Sequence, residues 1–181
     1  MSTKWVTSDL HFGHANILKF ESENRKFKSA TEMDEFMISE WNRNVRPNDT
    51  VYILGDFAFC TPREAANIAR RLNGKKILVR GNHDRELLTE PEFCQQFVEI
   101  APDYFMTHSG TYIHMYHFPI VEWDRCHRGS VHLYGHLHSS DSGLEKMRAR
   151  NVGYDSTGRV VSRLDDIVKD ALKGEIKKHH V

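Results

Sequence analysis

A chain of 181 residues with 39% hydrophobic content has enough apolar mass for one sizeable core, so a single domain over residues 1–181 is expected. Its 25 Lys+Arg balance 25 Asp+Glu, which leaves no long-range field to draw it to nucleic acid or to an anionic membrane. No apolar run reaches membrane-spanning length, the start lacks a signal-peptide core, and Cys60, Cys94 and Cys126 are scattered, which argues against a disulfide framework or thiolate metal site and for the cytoplasm.

The segment "KWVT" (4–7) is short, apolar and β-prone, and stops at Ser8-Asp9. A helix is expected over Thr31–Val45, with Thr31 and Asp34 as a capping-box-like start and Met33, Phe36, Met37, Glu40 and Trp41 mostly on one stripe. "TVYILGD" (50–56) is uniformly apolar until Gly-Asp and reads as a strand covered on both faces. Thr61-Pro62 is a good cap and first position for a helix over 61–72, and "KKILVRGNHD" (75–84) is a third strand. Strand, helix, strand, helix, strand is the pattern of parallel βαβ units.

The second half changes character. "DYFMTHSGTYIHMYH" (103–117) reads as two strands joined at Ser109-Gly110, followed by "SVHLYGHLH" (130–138) and "KMRARNVGYD" (146–155) as the last strand, with "KMRAR" a solvated strand face. An amphipathic helix over 164–174 carries Leu164, Ile167, Val168, Ala171 and Leu172 on one side. The later strands are mainly antiparallel or mixed, which makes an α/β sandwich with helices outside.

Four of the strands end in polar clusters, "SDLH", "GD", "GNHD" and "GHLH", and "YIHMYHFP" ends in a histidine before a proline. Ligands of open α/β sheets bind at the carboxyl ends of strands, so these clusters converge in space. They contain Asp, Asn and His and no thiolate, a set suited to Mn²⁺, Fe, Zn²⁺ or Ni²⁺. The donors are Asp9, His11, Asp56, Asn82, His117, His136 and His138. One tetrahedral site needs about four; this set suffices for two metals if one carboxylate bridges. Gly55, Gly81 and Gly135 each precede a donor, where they permit a sharp turn or a close approach. Of the eight histidines outside this donor set, His114 competes with His117, which is favoured by its place at the strand end. His108, His127 and His132 read as surface or packing residues, and His179 and His180 lie in a polar tail.

In this order, D-x-H (9–11), G-D (55–56), G-N-H-D (81–84), His117 and G-H-x-H (135–138) resemble the calcineurin-like metallophosphoesterase family. "DLHFGHANI", "YHFPIVEW" and "HLYGHLH" resemble a subset of small bacterial and phage members, although "RKF" (25–27) stands where that subset tends to carry Arg-Pro-Phe. The resemblance implies a four-layered α/β/β/α metallophosphoesterase sandwich with mixed central sheets. It also implies a dinuclear site in which Asp9, His11, Asp56 and His138 hold one metal and Asp56, Asn82, His117 and His136 the other. Spacing alone would give His136 and His138 to the same ion, since residues two apart in an extended segment point the same way.

The activity so implied is that of a phosphodiesterase foremost, or a phosphatase, hydrolysing a phosphoester by in-line attack of a metal-bridging hydroxide, with two divalent ions, Mn²⁺ foremost. His83 would protonate the leaving oxygen or stabilise the transition state, and Asp84 would orient His83 or, preferably, hold the loop. His14, Asn16 and Arg25 are candidate substrate contacts, with local capping as the competing role for His14 and Asn16. The expected partner is a small phosphoester, with a nucleotide among the candidates, and no membrane. A nuclease or nucleic-acid end-processing enzyme shares the chemistry, and a non-catalytic scaffold shares the fold; the complete donor set argues against the scaffold. Oligomeric state has no signature in the sequence.

Overall fold

The computed structural model describes residues 2–178, so His179 and His180 fall outside the described residues. The elements in chain order are β1 (Lys4–Thr7), α1 (Ile17–Phe20), α2 (Ala30–Asn44), β2 (Thr50–Ile53), α3 (Pro62–Arg71), β3 (Lys75–Val79), α4 (Pro91–Cys94), β4 (Glu99–Ala101), β5 (Tyr104–His108), β6 (Thr111–Met115), β7 (Val131–Tyr134), β8 (Ala149–Asn151), α5 (Tyr154–Thr157), β9 (Ser162–Arg163) and α6 (Leu164–Ala171). They build two sheets, ordered β4-β3-β2-β1-β9 and β5-β6-β7-β8.

In the first sheet β1 to β4 are parallel, with Thr7 opposite Ile53 and Ile53 opposite Leu78. The two-residue β9 adds antiparallel to β1; it is the true last strand, and it is too short to carry a hydrophobic period. The second sheet is mixed: β5 and β6 form the expected hairpin, its turn at Ser109 and Gly110 both left-handed, and β7 and β8 add in parallel.

Alternation along each strand divides the core. Val6, Tyr52, Leu54 and Val79 face Ile113, Met115, Val131 and Leu133 of the other sheet, joined by Leu164, Val168 and Ala171 of α6. Val51, Ile53 and Leu78 face outward onto Met33, Met37 and Trp41 of α2 and Ala65, Ala66 and Ala69 of α3. The outer face of the second sheet is covered by Trp123 and Cys126, from the loop before β7 with its 3₁₀ turn over Cys126–Arg128, and by Leu144 from the loop between β7 and β8.

Helix α3 begins as its sequence suggests, with Thr61 and Glu64 in a reciprocal capping box and Pro62 in the first turn. Helix α2 does not. Its cap is Ser29, whose Oγ accepts from Glu32 N, while the Glu32 carboxylate accepts from Lys28 N. Asp34 instead accepts Gly13 N with both oxygens and so ties α2 to the loop after β1. The stripe shifts accordingly: Ile38 is buried and Phe36 is 43% exposed. The basic run is not a solvated face either. Half-buried Arg148 donates to the Gly129 and Gly174 carbonyls, and Arg150 pairs with Asp170, fastening α6 to β8. Among the described residues no helix is long and apolar enough to cross a membrane.

Candidate metal centre

The carboxyl ends of β1, β2, β3, β6 and β7 meet at one rim where the two sheets adjoin. Beyond the strands the chain stays in register, with Asp9 N donating to Gly55 O and His11 N to Asp56 O. There the backbone turns left-handed at five of the seven predicted donors: Asp9 (φ 54°), His11 (53°), Asp56 (53°), His136 (72°) and His138 (50°). Such residues cost on the order of 1–3 kcal/mol each and persist where their surroundings over-determine them. What the strain achieves is aim. An extended 136–138 segment would point both imidazoles the same way; with both residues left-handed, His138 joins Asp9 and His11, and His136 joins Asp56 and His117. Each group places one donor atom per residue within 4.8 Å of the others. The approach is close enough that a Cβ on Gly55 would sit 2.6 Å from His117 Nδ1, and one on Gly135 would collide with Ser8 and Asp9.

Asp56 lies between the groups, its Oδ2 3.7 Å from His11 Nε2 and 3.5 Å from His117 Nε2. Asn82 Oδ1 stands 2.8 Å from His117 Nε2 and 3.1 Å from His136 Nδ1, so the amide sits with the second group. His117 donates Nδ1–H to Leu54 O at 2.7 Å and His138 donates Nδ1–H to Asp155 Oδ2 at 2.7 Å, which leaves each Nε2 as the inward-facing atom. Asp9 Oδ1 and His11 Nε2 are buried without a hydrogen-bond partner. Buried lone pairs aimed at one another are unfavourable unless a cation lies between them, and nitrogen and oxygen donors without thiolate suit divalent transition metals. Two candidate groups for divalent ions are therefore present.

The protonation states agree with that use. Burial pushes the His11 imidazole down to about 2, so it is neutral and its lone pair free. Burial alone would raise Asp56, but the His117 hydrogen bond and charge, with the His83 backbone N–H, hold it down at about 2 and ionised.

The family model for calcineurin-like phosphoesterases matches residues 3–170. The chain belongs to the calcineurin-like phosphoesterase family. It is 30% identical over 179 residues to the uncharacterized protein MJ1445 of Methanocaldococcus jannaschii, covering 95% of this chain and 93% of that protein. It is 28% identical over 192 residues to the Gene 66 protein of Mycobacterium phage L5, covering 90% and 91%. The crystal structure of AQ665 from Aquifex aeolicus, a protein of unknown function, superposes with a TM-score of 0.74 at 26% identity, covering 93% of this chain and 99% of that one. The family is one of metal-dependent phosphoester hydrolases.

The remaining predicted residues of this phosphoesterase divide sharply. His83 stands at the rim with its side chain 43% exposed, its N bonded to Asp56 Oδ1 at 2.9 Å and its Nε2 4.0 Å from Asp56 Oδ2. Asp84 is fully buried and accepts from Gly81 N, Phe57 N and Asp56 N, so it holds the loops after β2 and β3 together and does not reach the reacting centre. Half-buried His14 stacks on Phe59 with ring centroids 4.1 Å apart, its Nδ1 3.1 Å from His11 Nδ1. Asn16 is exposed just before α1 and its side chain caps nothing there.

Arg25 is a correction. It is 1% exposed and cannot contact substrate. Its guanidinium bonds Asp155 with two nitrogens, at 2.7 and 2.8 Å, and the carbonyls of Asp9 and Leu10 at 2.6 and 2.9 Å. Asp155 in turn holds His138. Sequence reading missed Asp155, which follows Gly153 by two residues after β8 and so lacks the direct glycine-acid ending seen at Gly55-Asp56.

Proposed function

We propose that this chain is a two-metal phosphodiesterase acting on small, nucleotide-like phosphoesters. The observation that carries the reading is the meeting of two donor groups at Asp56 Oδ2. In this reading Asp9, His11, Asp56 and His138 hold one ion and Asp56, Asn82, His117 and His136 the other, with Mn²⁺ the expected metal and Fe, Zn²⁺ or Ni²⁺ accepted by the same donors. Divalent metal there supplies an acidified water as nucleophile and positive charge for the phosphoryl oxygens.

The chain's own residues do the rest. Asp56 fixes the spacing of the two groups, and Asp84 fixes Asp56 by binding its backbone N–H. His83, anchored through its backbone to Asp56 and open to solvent, is placed to give a proton to the departing oxygen; a positioned acid contributes about 10²–10⁴-fold. Charge favours a diester. Asp9 and Asp56 only partly neutralise two dications, and a diester monoanion with one hydroxide cancels the remainder, whereas a monoester dianion overshoots. Among the described residues the one guanidinium bonded to the backbone of the centre, that of Arg25, is committed to Asp155.

The test compares Mn²⁺-dependent hydrolysis of bis(p-nitrophenyl) phosphate and p-nitrophenyl phosphate. The expected result is a clear preference for the diester, abolished by chelation and restored by Mn²⁺. A preference for the monoester would make the protein a phosphatase, and activity indifferent to chelation would end the metal-dependent reading. A steep salt dependence of oligonucleotide binding would favour the nuclease reading instead.

A further inference from the structure

A groove of about 660 Å³ runs beside the metal centre, between the loop after β2 and the loop after β3. Its volume falls within the range of ordinary ligand sites, roughly 300–1,000 Å³. Ala58 and Leu87 are buried at its base, and Phe59 lies along it. The wall it shares with the centre is made by Asn82 and His83. Resting on the phosphodiesterase reading, in which His83 protonates the departing oxygen, the group that leaves enters this groove.

Two features of the groove are unaccounted for by folding. Phe59 is 42% exposed beside a polar centre, although its backbone N is pinned to Phe12 O at 2.7 Å. Its ring stacks on His14 at 4.1 Å and lies 4.6 Å from His83, so it is a fixed platform and not a loose side chain. Phe20, 72% exposed, extends the aromatic surface with its ring 6.3 Å from His14. Arg85 lines the same groove, is exposed, and makes no ion pair or side-chain hydrogen bond among the described residues. A fixed aromatic face binds a planar ring, and a free guanidinium binds a phosphate or carboxylate.

We infer that this groove is the leaving-group subsite and takes a nucleotide, its base against Phe59 and its phosphate at Arg85. A sugar phosphate would leave the ring uncovered, and a bare nucleoside would leave the guanidinium unpaired.

The experiment measures binding of adenosine 5′-monophosphate, ribose 5-phosphate and adenosine to the Mn²⁺-loaded protein by calorimetry. Base stacking predicts that the mononucleotide binds roughly five- to hundredfold more tightly than ribose 5-phosphate. Phe59→Leu, which keeps apolar volume beneath His14, should erase that advantage while leaving ribose 5-phosphate binding unchanged, and Phe59→Trp should keep it. Arg85→Ala should erase the advantage of the mononucleotide over adenosine. Equal binding of mononucleotide and sugar phosphate, an advantage that survives Phe59→Leu, a phosphate contribution that survives Arg85→Ala, or no binding of any of the three would each overturn the inference. Wild-type hydrolysis of bis(p-nitrophenyl) phosphate, assayed alongside, separates the two readings. Hydrolysis without a base preference removes the subsite and leaves the phosphodiesterase; a Phe59-dependent preference without hydrolysis does the reverse.

Discussion

The Asp9, His11 and His138 group is braced by a buried ion pair between residues 130 apart in sequence, Arg25 and Asp155. The Asp56, His117 and His136 group has no such brace among the described residues; His117 rests on the Leu54 carbonyl, and Asn82 stands exposed at its edge. In the first group, Asp9 is 0% and His11 3% exposed, and each carries an unsatisfied donor atom. In the second, Asn82 Oδ1 contacts both imidazoles. Both groups are buried, Asp56 at 2% and His117 at 0% exposed, so the difference lies in the bracing: the first position is held by side chains that span the fold, the second through the Leu54 carbonyl with Asn82 at its exposed edge. The first should fill first in a metal titration and the second should exchange more readily.

Asp56 is the residue on which the comparison depends, and removing its charge should have the largest effect. Asp56→Asn is expected to lower hydrolysis of bis(p-nitrophenyl) phosphate on the order of 10³-fold, a loss of the size seen when one well-placed electrostatic group is removed. Elemental analysis should find no more than one metal per chain. Two metals bound as tightly as in the wild type would mean that the groups do not share this carboxylate.

Arg25→Met acts on the first group alone, and through stability. It strands Asp155, whose side chain is 0% exposed, without its guanidinium, and breaking a buried pair in this way costs about 3–5 kcal/mol. For a chain of this size that is a fall in melting temperature of roughly 6–20 °C. Arg25→Lys should recover little, because one ammonium cannot serve two carboxylate oxygens and two carbonyls together. A melting temperature within a degree of the wild type in both variants would show that the brace is dispensable.

The ion pair also marks the boundary of what the sequence makes legible. The strand-end donors can be read because each follows its own apolar strand, and parallel strands bring their ends to one rim. The α3 cap and the β5–β6 turn are local, so Thr61-Pro62 and Ser109-Gly110 suffice to place them. Arg25 and Asp155 each look ordinary in their own surroundings; only the closed fold brings them together. The start of α2 lies before the expected Thr31 because Ser29 caps it, and Asp34, read from sequence as a capping partner, is drawn away to Gly13 by a contact that only the fold creates. The separation of His136 from His138 depends on backbone angles that strand alternation does not encode. The exposure of Phe59 depends on which way the loop after β2 faces.

A smaller effect sharpens the comparison by pH. Burial alone would lower the His138 pKa, but the Asp155 hydrogen bond, with the charge of Asp9, more than reverses this, so it lies above its ordinary 6.5. Without metal, the protonated imidazole therefore stabilises the fold at pH below 6.5, and that contribution fades as pH rises through the raised value. Metal must displace the same proton, so affinity at the first position should fall as pH drops below that value. Besides the stability lost with the Arg25 ion pair, Asp155→Asn has two opposed consequences for metal binding. It loses the carboxylate that orients His138, which should weaken Mn²⁺ binding at the first position about 10–100-fold at pH 8. It also removes the cause of the raised pKa, so less proton competition remains and the deficit should narrow toward pH 6. The second position should change little at either pH. Calorimetric titration at the two pH values reads all of this. A deficit that stays constant with pH would leave Asp155 an orienting role alone, and an equal deficit at both positions would mean that the two groups are braced as one.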